Sequence, residues 1–112
     1  MIGAEHLVDT SAFVRLSRDK RLRERWRPNV AAGMLAICPI TRLEILFTAP
    51  SKGHRSELKA ELADSYCWVV MPDRVYERAD SVQETLTDRG AHRSAGPVDL
   101  LVAATAELYD RP

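Results

Sequence analysis

Three carboxylates stand where the chain passes from one local pattern to another. Asp9 lies in LVDTSAFVRL, Glu44 in PITRLEIL and Asp99 in GPVDLLVAATA. Each has a structural explanation by itself. Asp9 is placed to cap a helix, Thr41 and Glu44 have the Ser/Thr-x-x-Glu spacing of a capping box, and Asp99 follows Pro97 in a first turn, where the helix dipole favours an anion. Together they suggest chemistry. Three carboxylates brought to one place repel one another unless a cation neutralises them, and hard oxygen ligands suit Mg²⁺ or Mn²⁺, which complete their shells with water and substrate phosphates. The chemistry would be metal-dependent phosphoryl transfer.

The elements that must position these acids can be read from the spacing of apolar residues. His6 to Val8 is a short strand, followed by a helix from Thr10 to about Leu16 through Phe13, Val14 and Leu16. A second helix carries a basic run to Trp26 and is expected to stop at Pro28. Leu35 to Cys38 reads as a buried strand, and Pro39 and Thr41 open a helix with Ile40, Leu43, Leu46 and Phe47 on its apolar side, ended by Pro50. Ser56 to about Tyr66 is helical, Cys67 to Met71 supplies a third strand, and a long polar helix runs from Pro72 to Arg89 before Gly90. The last helix spans Pro97 to about Tyr109. Strands alternating with helices predict an α/β fold, a parallel sheet covered on both faces. Ligands bind at the carboxyl edge of such a sheet, and all three acids are expected there.

Composition bounds the rest. With 112 residues, 46% hydrophobic and 29% charged, the chain is the size of one globular domain, spanning 1–112. The apolar stretch from Met34 to Ile40 is too short to span a bilayer and the N-terminus lacks the order of a signal peptide, so a cytoplasmic protein is expected. Cys38 and Cys67 read as free thiols in apolar surroundings, and His6, His54 and His92 as surface or loop residues with no ligand spacing. Net charge is zero, yet Arg15, Arg18, Lys20, Arg21, Arg23, Arg25 and Arg27 face only Asp19 and Glu24 within one segment. That run is either a solvated helical face or a phosphate-binding surface.

Taken together, LVDTSAFVRL, CPITRLEILFTA and GPVDLLVAATAELY resemble the PIN-domain ribonucleases, specifically the VapC toxins of bacterial toxin–antitoxin pairs, over almost the whole chain. The resemblance implies a PIN-like three-layer fold, with a central parallel sheet and helices on both faces. It implies that Asp9, Glu44 and Asp99 bind Mg²⁺ (or Mn²⁺), and that Thr10 or Ser11 offers a hydroxyl to the first carboxylate or a bound water. A VapB-type antitoxin, a homodimer and an RNA substrate follow from the same resemblance. Such domains continue past the last helix into another strand and a fourth acid, whereas this sequence stops at Asp110-Arg111-Pro112. The chain is therefore expected to be a fragment lacking its C-terminal strand, and Asp110 is not assigned to the site. A phosphate contact is also offered by Arg93. The competing reading is a non-catalytic partner-binding module of the same fold. An aspartyl-phosphatase is disfavoured because Ser11 stands where a second acid would be needed, and the chain has no Walker loop and no G-x-G-x-x-G pattern.

Overall fold

The computed structural model describes residues 6–91 and 93–109. Its elements are β1 (His6–Leu7), α1 (Thr10–Arg18), α2 (Lys20–Ala31), β2 (Leu35–Ile37), α3 (Pro39–Phe47), α4 (Lys52–Ser65), β3 (Cys67–Trp68), α5 (Arg74–Asp88) and α6 (Pro97–Leu108). The sheet order is β1-β2-β3, both pairings parallel, with Leu7 opposite Ala36 and Ile37 opposite Trp68. All three strands therefore end at one edge.

Alternation along β2 divides the core into layers. Leu35 and Ile37 pack with Val8, Phe13, Ile45, Leu46 and Leu62 beneath α1, α3 and α4. Ala36 faces the other way, with Val69 and Tyr109. On that side α5 and α6 form their own seam through Val75, Ala79, Leu100 and Ala104. The predicted α/β arrangement, a parallel sheet between helices, is the one observed.

Several boundaries differ, each for a local reason. Pro28 does not stop α2, which runs on to Ala31. Proline removes one amide donor inside the helix, but its own carbonyl still accepts from the Ala32 N–H at 3.0 Å. Helix α4 starts four residues before Ser56, because the Ser51 hydroxyl accepts from the His54 N–H at 3.1 Å and caps it. Strand β3 is shorter than Cys67 to Met71, and α5 begins at Arg74 rather than Pro72. Gly90 does end α5: at φ 72° it lets its own N–H and that of Ala91 reach the carbonyls of Thr87 and Leu86, a Schellman closure. His6 opens β1, as the strand read from His6 to Val8 expects, and is half-buried rather than a surface or loop residue, with its ring edge-to-face on Trp26 at 5.3 Å. Both cysteines are free, Cys38 buried and Cys67 partly so. His92 and Asp110–Pro112 lie outside the described residues. No described helix is long and apolar enough to cross a membrane.

Candidate metal and phosphate site

The site starts from Asp9, the second residue after β1. The Val8 N–H still bonds to the Ala36 carbonyl at 2.8 Å, after which Asp9 is extended at φ −89°, ψ 174° and becomes the cap of α1. One carboxylate oxygen, Oδ1, accepts from the Ala12 N–H at 2.7 Å. Capping thus occupies one oxygen of an exposed carboxylate and fixes its direction, leaving Oδ2 open.

The second acid is not explained by capping. The cap of α3 is Cys38, whose side chain makes no capping bond to the helix N–H groups, and Thr41 is fully buried with its hydroxyl 3.5 Å from the Cys38 thiol. That leaves Glu44 outside any capping box. Instead its Oε1 accepts from the Thr10 hydroxyl at 2.5 Å, a bond between residues 34 apart in sequence. This joins the residue after Asp9 to the helix after β2. Of the two hydroxyls considered, Thr10 is the one that holds a carboxylate, and the carboxylate is the second, not the first. Ser11 is exposed and makes no hydrogen bond to the three acids among the described residues. No signal in the sequence points to a pairing this long in range.

Asp99 sits in the first turn of α6, its Oδ2 accepting from the Gly96 N–H at a long 3.4 Å. Helix α6 packs against α3 and β1. Its far end is anchored by the Tyr109 hydroxyl, which donates to the Val70 carbonyl at 2.8 Å just past β3. Asp99 lies ten residues earlier, about 15 Å along the helix axis. The inference that brings Asp9 and Glu44 to one edge, that a helix following a strand starts at its carboxyl end, does not extend to Asp99. Helix α6 follows a helix, not a strand. Among the described residues no group of three or more His, Cys, Asp or Glu side chains stands close enough to hold an ion together.

The donor set nonetheless fits a hard divalent cation in kind. Mg²⁺ is commonly held by one or two carboxylates with water completing the octahedron, and Asp9 offers a free oxygen beside a Glu44 fixed by Thr10. The seven cations from Arg15 to Arg27 are all exposed on α1 and α2, and none is ion-paired among the described residues. Arg93, before α6, is exposed as well.

Residues 6–112 match the model of the PIN domain family. Ribonuclease VapC21 of Mycobacterium tuberculosis is 39% identical over 107 residues, covering 96% of this chain and 77% of the relative. Ribonuclease VapC2 of the same species is 39% identical over 109 residues, with the same coverage. In fold, the chain is similar to a protein in the crystal structure of DNA-bound VapBC from Salmonella typhimurium, with a TM-score of 0.75 at 17% identity, covering 92% of this chain and 79% of that one. The chain belongs to the PIN-domain family and, within it, to the VapC ribonucleases.

Proposed function

We propose that this VapC-family ribonuclease is the toxin half of a toxin–antitoxin pair, cutting RNA phosphodiester bonds in a Mg²⁺- or Mn²⁺-dependent reaction. The observation that carries the site is the Thr10–Glu44 hydrogen bond, which holds the second carboxylate beside the strand end bearing the first. Asp9 and Glu44 are the residues that would hold the ion, and Asp99, which does not close a three-acid cluster with them among the described residues, is the third acid of the proposed set. Bound there, it would supply a Lewis acid that acidifies a water and neutralises charge on the phosphate. The chain's own residues do the positioning. Ala12 fixes Asp9 through its cap bond, Thr10 fixes Glu44, and Ser11, exposed beside them, offers a hydroxyl to a bound water.

The partner reading rests on the fold neighbour, which is part of a VapBC complex. A VapB-type antitoxin would lie over the basic face of α1 and α2, where Leu7, Leu16, Leu22 and Trp26 also line an apolar cleft of about 340 Å³. Self-association is supported by α3, which exposes Leu43 and leaves Phe47 90% accessible. Residues 1–112 form one domain in this reading, acting in the cytoplasm. A non-catalytic binding module is favoured only by the absence of a closed three-acid cluster among the described residues. Incubating the purified protein with a structured RNA pool, with Mg²⁺ or with chelator, separates the two: cutting that chelator abolishes supports the nuclease, and intact RNA under both conditions supports the module.

A further inference from the structure

The carboxyl edge of the sheet carries a second feature besides the acids. Ile37 and Trp68 are the last residues of β2 and β3 and pair in register, so both side chains meet the layer of α3 and α4. Between these elements opens a cleft of about 310 Å³, lined by Ile37, Leu62, Tyr66 and Trp68 with Arg42 and Lys59. That volume is at the small end of ligand sites, enough for one ring system. Trp68 is 50% exposed, and the Arg42 guanidinium lies 5.9 Å from its ring centroid. Neither Arg42 nor Lys59 has an acid partner among the described residues. Burial, helped by the negative charge of Glu61, pushes Tyr66 up to about 12, so its hydroxyl is a neutral donor at any ordinary pH.

We propose that this groove is a subsite for one unstacked nucleotide of the RNA substrate, with the base on the open face of Trp68 and its phosphate between Arg42 and Lys59. The proposal rests on the ribonuclease reading. Single-stranded RNA is recognised by stacking splayed bases on aromatic rings, and such stacking tolerates any base. A guanidinium suits phosphate through its planar fork. The position relative to the acids is also favourable. Arg42 and Glu44 are two residues apart on α3 and so emerge on opposite sides of it, about 10–12 Å apart across a helix with its side chains. A strand passing from groove to acids would cross the start of α3, where no side chain caps the free N–H groups and the helix dipole adds positive potential.

The test is a fluorescence titration with a twelve-nucleotide single-stranded RNA in chelator, where binding is read without cutting, alongside an Mg²⁺ cleavage assay. RNA is expected to quench tryptophan emission in the parent and in Trp26→Phe but not in Trp68→Phe. Trp68→Leu should weaken binding about ten-fold, with Trp68→Phe recovering most of the loss. Arg42→Gln with Lys59→Gln should weaken it similarly and flatten the logarithmic salt dependence by about 0.7 for each phosphate no longer neutralised. Variants that bind with the parent's affinity and salt slope would overturn the subsite while a cutting parent keeps the ribonuclease reading. A parent that neither binds nor cuts RNA would overturn both. A concentration-dependent change in Trp68 emission without RNA would assign the groove to a second copy of the chain and also overturn the proposal.

Discussion

The Thr10 hydroxyl and the Glu44 carboxylate, 2.5 Å apart, tie the first βα turn to the helix that follows the second strand. The bond commits one Glu44 oxygen to a donor from another element, which restrains the carboxylate and leaves its second oxygen available. Removing the donor should therefore affect function more than folding. Thr10→Val is expected to lower Mg²⁺-dependent RNA cleavage about 10- to 100-fold, the usual effect of losing a group that orients a metal ligand. Thr10→Ser, which keeps the hydroxyl, should retain most activity. Cleavage rates against Mg²⁺ concentration, with melting curves beside them, check this.

Tyr66 makes stability pH-dependent at the alkaline end. Its hydroxyl holds its proton up to about 12 in the fold, against an ordinary value of 10, because burial penalises the phenolate and Glu61 adds negative charge. An acid whose folded value is raised contributes stability that is complete below pH 10 and is lost as pH rises from there through about 12. Denaturation midpoints measured from about pH 8 to 12 should fall over the upper part of that range, and fall less in Tyr66→Phe.

Pro28 offers a gain in stability. It sits exposed inside α2, where the bond that an amide at this position would make to the Glu24 carbonyl is missing. Pro28→Ala restores that donor and removes a ring from a helix interior, which outweighs the added freedom of the unfolded chain. An increase of about 1 kcal/mol is expected, or roughly 4–8 °C in Tm for a domain near this size. Calorimetry decides it.

The exposed side of α3 should control self-association. Phe47 is 90% accessible, one turn from exposed Leu43. Phe47→Glu is expected to shift the protein toward monomer in sedimentation velocity, with the melting temperature nearly unchanged because the side chain contributes little to the monomer's core.

Elements with strong periodicity are legible from residue order alone. The buried strand around Leu35–Ile37, the helix opened by Pro39 and the helix opened by Pro97 follow from apolar spacing and proline chemistry that neighbours in sequence decide. Pro28 misleads because a proline stops a helix only when the following residues gain nothing by continuing. Here Val30 packs onto the main core. Asp9 is readable as a cap, since its partner is three residues away. Glu44 resembles a capping acid because the local Thr41 spacing imitates one, while its real partner is set by how α1 docks on α3. Asp99 shows the opposite limit. Its place in a first turn is local and legible, but its distance from the other acids depends on how α5 and α6 pack together, which no short window encodes.

The most direct measurement is the rate of RNA cleavage in Mg²⁺ by the parent, Asp9→Asn and Glu44→Gln, each shown to be folded by circular dichroism. Asp9→Asn keeps a side-chain oxygen for the Ala12 N–H and so preserves the cap while removing the charge. Loss of at least a hundred-fold in both variants, with melting temperatures near the parent's, is the expected result. Cleavage at the parent's rate by folded Asp9→Asn would contradict the assignment of these carboxylates to the reaction.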